Sequence, residues 1–314
     1  MIRTSHYLFA ALCLGSLFAC SRQFTDSYIV PKWCFAVFML FIVLAYEAVN
    51  ILFYRQNEQK DTRISVYGFI IVISCFLQAM FGVVQFFGFF QISTTLWVTG
   101  SFDNPAGFAA CLCAGFPFVG FLLSDSNKYI RYVGGLIGFV IVIAVILSQS
   151  RAGIMSIAFI CFILLNMKFF HKRWVKYLSL LCFALLLSGC YWMKKDSADG
   201  RLLIWRCSVS MVKDAPWLGH GIGSFEARYM DYQADYFRQY GLNRYSMLAD
   251  NVKHPFNEYL GVLLNFGFVG LLMILALITL LIYCYKKHPC AEKRIAFYSL
   301  ISIGVFSFFS YTFT

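Results

Sequence analysis

Charge is what this sequence has least of. Only 13% of its 314 residues are Asp, Glu, Lys or Arg, against about 25% in ordinary globular domains. That shortage excludes an ordinary soluble globular domain. Metal-type spacing is missing too: among the 12 cysteines there is no CxxC pair, and no His/Cys arrangement of zinc-site form. Neither a disulfide framework nor a metal site is expected. Cys75, Cys111, Cys113, Cys161 and Cys182 fall inside apolar runs, where cysteine behaves as a small hydrophobe. Repeats and low-complexity tracts are also lacking.

What is present is apolar. Hydrophobic residues make up 60% of the chain, and mean hydropathy is +0.70. The excess lies in continuous runs of about 20 residues, each long enough to cross a bilayer core of roughly 30 Å as a helix. Spans are expected near 6–20, 33–53, 64–90, 106–123, 132–149, 152–168, 176–193, 258–285 and 295–312. The fold class is therefore an all-α polytopic membrane protein of about nine transmembrane helices (roughly 8–10) in one domain over 1–314. One long polar segment, 194–257, interrupts it. The start, MIRTSHYLFAALCLGSLFACSR, has the form of a secretory or lipoprotein signal. Phe18 suits a lipoprotein cleavage site poorly and more spans follow, so an uncleaved first span is expected.

The net charge of +11 would hint at nucleic acid in a soluble protein. Here the bases sit in short loops: Arg55, Lys60 and Arg63; Lys128 and Arg131; Lys168, Lys172, Arg173 and Lys176; Lys286, Lys287, Lys293 and Arg294. These are alternate loops, which the positive-inside rule assigns to the cytoplasm, and no nucleic-acid partner is expected. The stretches 91–105, 149–151 and 194–257 then share the opposite side. Every polar motif other than a basic loop opens toward one compartment, as a single active site requires.

Arg151, in SQSRAG, occupies a tight turn between two apolar runs with Ser148 and Ser150 beside it. A guanidinium there is costly unless paired or hydrated, and its fork of donors matches phosphate oxygens. The 194–257 segment is too long for an idle connector. Leu203, Ile204, Cys207, Val209, Met211 and Val212 give it an amphipathic helix suited to the membrane surface, with Arg201 and Arg206 near headgroup level. Pro216 and three glycines then signal turns. His254 precedes Pro255, which favours an extended lead-in. Asn257 or a residue near it is placed to cap the span that opens near Glu258. A histidine is the side chain suited to proton transfer near neutrality. Beside arginines that can hold phosphate, it points to group transfer from a diphosphate donor. That donor must be membrane-borne, and a lipid-diphosphate-linked sugar fits.

The pieces GSFDNPAGFAA, SQSRAGIM, GRLLIWRCSVSMVKDAPWLGHGIGSF and HPFNEYLGVLLNFGFVGLL, in that order, resemble one family. It is the O-antigen ligase and polymerase superfamily of bacterial integral membrane glycosyltransferases, which includes O-oligosaccharyltransferases. The resemblance covers about 95–285, the expected catalytic portion. It implies transfer from an undecaprenyl-diphosphate-linked glycan to a hydroxyl of lipid A–core, another glycan or a protein. The reaction would take place at the periplasmic face of the inner membrane, without metal or cofactor. It implies catalytic roles for Arg151, Arg201 and His254, and substrate binding by Arg206, Ser150, Asn104, Asn257 and Glu258. Where many members place a histidine just before the asparagine, this chain has Phe256. Two other classes differ in what they need. A lipid-linked glycan flippase requires polar groups through the bilayer depth, where the spans here offer mainly Glu47, Asn50 and Gln78. A structural scaffold would tolerate loss of Arg151 and His254.

Overall fold

In the structure, a computed structural model, all residues are described except 1, 22, 24–28, 54–59, 90–97, 169–171, 194, 288–289 and 311–314. Arg55 of the first basic loop, and the span ends expected at 90 and 312, lie outside the described residues. The described elements are helical: α1 Ile2–Phe18, α2 Ile29–Phe53, α3 Lys60–Phe86, α4 Pro105–Gly115, α5 Val119–Leu123, α6 Lys128–Leu147, α7 Arg151–Lys168, α8 Arg173–Met193, α9 Lys195–Asp214, α10 Ser224–Tyr240, α11 Glu258–Lys287 and α12 Ala291–Phe309. A turn of 3₁₀-helix over Phe116–Phe118 joins α4 to α5, so the two serve as one expected span. Among the described residues, six helices are long and apolar enough to cross a membrane: α2, α3, the α4–α5 pair, α6, α8 and α11. Thr4–Phe18 and Arg151–Met167 are shorter apolar helices. Large side chains such as Phe41, Tyr132, Leu136, Tyr177, Leu272 and Met273 face outward. That inside-out surface suits lipid rather than water.

The chain divides into two compact units, Met1–Ile157 with Cys290–Ser302, and Ala158–Pro289 with Ile303–Thr314. In the first, α1 packs on α2 and α3, and α3 on α6, while a polar knot ties α2 and α3 to residues 99–101. The Gln85 side-chain oxygen accepts from the amides of Thr99 and Gly100, each at 2.9 Å. Gln78 donates to the Ser101 hydroxyl at 3.0 Å, and Lys32 donates to the Ser101 carbonyl. Such bonds satisfy backbone that would otherwise be stranded in a low-dielectric interior. Two of the polar groups noted inside spans therefore have internal work: Gln78 fixes this loop, while Glu47 accepts from Ser5 and Tyr67.

In the second unit α9 packs on α10 and α11. The amphipathic helix is present, and Leu203, Ile204, Cys207 and Met211 form its buried face as the pattern predicts. That face is covered by Phe225, Tyr229 and Leu264 of neighbouring helices rather than turned to lipid. Val209 alone of the expected apolar set is exposed, at 45%. A protein partner supplies closer packing than disordered acyl chains, so the helix spends its stripe on α10 and α11.

The span expected to run unbroken from 258 is interrupted. At Gly267 the backbone of α11 leaves helical geometry (φ 61°, ψ −159°). The groups this frees are taken up by the turn after α9. Leu264 and Asn265 carbonyls accept from the amides of His220 (2.7 Å) and Gly221 (3.1 Å). In return, the amides of Phe268 and Val269 donate to the carbonyls of Pro216 (2.8 Å) and Trp217 (3.2 Å). A side chain at Gly267 would meet the Trp217 oxygen at 2.3 Å, and one at Gly219 the Asn265 carbonyl carbon at 2.6 Å. Two glycines thus let backbone touch backbone, and the break leaves these amides and carbonyls paired.

Candidate functional site

The candidate residues fall in both units. Asn104, Ser150 and Arg151 belong to the first, and Arg201, Arg206, His254, Asn257 and Glu258 to the second.

Three of them have capping work. The Asn104 side chain accepts from the Gly107 amide at 2.7 Å, with Pro105 opening α4 behind it. Ser150 accepts from the Gly153 amide at 3.3 Å, and Asn257, which is buried, from the Leu260 amide at 3.1 Å. Each satisfies a donor left over at a helix start. Asn257 thus caps α11 as its place in the sequence predicts. Arg151 is half-buried as the first residue of α7, after Gln149 has turned the chain at φ 54°. A helix N-terminus already carries partial positive charge, so a guanidinium is disfavoured there and an anion doubly favoured.

In the second unit α9 meets the lead-in to α11. The Trp205 indole donates to the Pro255 carbonyl at 3.0 Å. One turn earlier, Arg201 donates to the Phe309 carbonyl at the end of α12. The Arg201 guanidinium also lies 5.1 Å from the centre of the Phe256 ring. Phe256 adopts φ 52°, a left-handed conformation that a bulky residue takes only when its surroundings demand it. Its neighbours make that demand: Pro255 is held by Trp205 and Asn257 by its cap. The aromatic ring at this position is therefore the seat of Arg201. The sequence marks Phe256 only as a departure from the histidine found in many family members; its place under Arg201 is legible only in the three-dimensional packing.

His254 and Glu258 line a cavity of about 420 Å³, together with Glu226, Lys253, Asn257 and Asn265. Burial lowers the His254 pKa below its ordinary value of 6.5, against the raising fields of Glu226 and Glu258 and with a smaller push from Lys253. The imidazole is thus predominantly neutral at pH 7 and able to accept a proton. Glu226, 3.7 Å from Lys253, was not singled out in the sequence; as the third residue of an amphipathic helix it reads as an ordinary N-terminal acid. Arg206 lies elsewhere. It is exposed, and its guanidinium is 5.3 Å from the Tyr245 ring centre. The structure brings Arg201 to the His254–Glu258 segment and directs Arg206 to another.

These features define a class: a multi-pass helical membrane protein whose polar segment sets a neutral histidine in a cavity and an arginine on an adjoining aromatic ring. Residues 136–275 match the family model Wzy_C, described as O-antigen ligase. All the candidate residues except Asn104 lie within the match. The family implies a glycan-transferring membrane enzyme of ligase or polymerase type. No curated protein and no solved structure matches the chain.

Proposed function

We propose that the protein transfers a glycan from an undecaprenyl-diphosphate-linked donor to an acceptor hydroxyl at the periplasmic face of the bacterial inner membrane, in the manner of an O-antigen ligase. The observation that carries this reading is the neutral His254 opening on a cavity of about 420 Å³ within the matched domain. The acceptor hydroxyl enters that cavity and gives its proton to His254. Its oxygen attacks the anomeric carbon, and the bond from that carbon to the diphosphate oxygen breaks. The electron pair leaves with the diphosphate, and direct displacement inverts the anomeric centre. Arg201, steadied on Phe256, supplies positive charge to the diphosphate as it departs. Glu258 and Asn257 shape the cavity wall.

Deletion of the gene in its native host, followed by electrophoresis of envelope glycans, tests the reading. Bare lipid A–core is expected. Core bearing one repeat unit would assign a polymerase instead, and loss of glycoprotein signal alone a protein glycosyltransferase. Unchanged glycans in a host without a second copy would overturn the proposal. So would an accumulation of donor on the cytoplasmic leaflet, which marks a flippase.

A further inference from the structure

Arg201 and Arg206 share α9 but stand five residues apart, which turns them about 140° around the helix axis. Arg201 meets Phe256 and the end of α12, whereas Arg206 meets a group of tyrosines. There it is joined by a second arginine. The Arg206 guanidinium carbon is 5.3 Å from the centre of the Tyr245 ring, and that of Arg244 is 4.7 Å from the same centre. The two cations therefore lie within about 10 Å of each other, close to the screening length of physiological salt, so their repulsion is only partly damped.

The arrangement is held in place. Tyr245 is 3% exposed, anchored in the core between α9 and α10. Arg244 donates to the Tyr245 hydroxyl at 2.6 Å, and Arg206 to the Tyr236 hydroxyl at 3.4 Å. The Tyr236 ring lies 4.9 Å from that of Tyr240, which is 61% exposed. Both arginines are exposed, and among the described residues neither makes an ion pair. The hydrogen bond to Tyr245 is the main support for the charged form of Arg244, with a smaller pull from Asp199, whose carboxylate accepts from Tyr191 at 3.1 Å. Each guanidinium keeps further N–H donors for a ligand.

We propose that Arg206, Arg244, Tyr236 and Tyr240 form a binding surface for an acidic saccharide. Carboxylate or phosphate oxygens on the sugar meet the two guanidinium forks. The apolar face of the sugar ring rests on the tyrosines. This surface is separate from the setting of Arg201, and it selects a glycan by charge whether the glycan arrives as donor chain or as acceptor.

The test is calorimetric titration of the full-length protein in detergent micelles with tetragalacturonic acid, and with a neutral tetrasaccharide as control. The acidic sugar is expected to bind at least about tenfold more tightly than the neutral one, and to weaken with salt. Arg206→Gln and Arg244→Gln should each reduce that affinity by about tenfold. Arg238→Gln, which removes a cation paired with Asp235 on α10, should leave it unchanged. Equal affinity for both sugars, no binding of the acidic one, or loss in Arg238→Gln equal to that in Arg206→Gln would overturn the proposal. Binding to phosphatidylglycerol nanodiscs without binding to the acidic sugar would do the same, by assigning the surface to lipid. A circular-dichroism melt of each variant separates lost binding from lost folding. Because binding rather than transfer is read, the result stands apart from the role given to His254.

Discussion

In the proposed mechanism His254 accepts the proton only while its imidazole is neutral, and the cavity favours that state by withholding solvent from the cation. Transfer should therefore rise with pH through a midpoint below 6.5 and level off above it. Glu226 favours the imidazolium, so Glu226→Gln removes that support and should shift the midpoint to still lower pH. The loss also frees Lys253 from its partner, and a free ammonium pushes in the same direction. Rates measured against pH with a purified lipid-linked donor check the sign, and a midpoint moving upward in the variant would contradict it. Phe256 offers a second test at this scale. Its left-handed backbone costs on the order of 1–3 kcal/mol, which glycine would not bear, yet glycine also removes the ring under Arg201. Phe256→Gly is expected to melt at or near the parental temperature while transferring about tenfold more slowly, as loss of a partly desolvated cation–π contact implies. Phe256→Tyr should retain most of the rate.

At the scale of the element, the break in α11 is the feature on which the polar segment hangs. Four backbone hydrogen bonds join the 216–221 turn to the broken helix, and they form only because residues 219 and 267 lack a Cβ. Gly267→Ala would place a methyl group 2.3 Å from the Trp217 oxygen at φ 61°, so a loss of more than about 2 kcal/mol is expected. Thermal unfolding of the detergent-solubilised protein should show it as a drop of several degrees. Gly189→Ala in α8 is the control: nothing lies within 4 Å of its added carbon, and helix propensity favours the change. This element also marks how far the sequence can be read. Apolar runs placed the helices because a bilayer demands length and hydropathy from each stretch by itself. Asn257 announced its cap for an equally local reason. The Gly267 break was illegible because one glycine inside an apolar run is unremarkable, and its meaning depends on a turn about fifty residues earlier in the chain. The different settings of Arg201 and Arg206 were illegible for a similar reason. Nearness in sequence concealed their different faces, and Tyr245, which explains Arg206, gave no signal of its own.

For the whole molecule, everything proposed depends on which compartment receives residues 195–257. That segment contains both signs of charge and is too long for its own bases to set its side, because long loops translocate largely regardless of charge. The short loops decide instead. Lys128 and Arg131, Lys172 through Lys176, and Lys286 through Arg294 alternate with the polar stretches, and holding each basic loop in the cytoplasm forces the long segment outward. The assignment can be checked by single cysteines introduced into a background in which the native cysteines are replaced by serine. Asn251→Cys, exposed ahead of His254, should react with a membrane-impermeant maleimide once the outer membrane is opened and the inner membrane left intact. Lys128→Cys, exposed at the start of α6, should react only after the inner membrane is breached. The reversed pattern would put the His254 cavity in the cytoplasm, among soluble nucleotide-linked sugars rather than translocated lipid-linked ones. The chemistry of a neutral base beside an arginine would survive that result, but the lipid-linked donor would not.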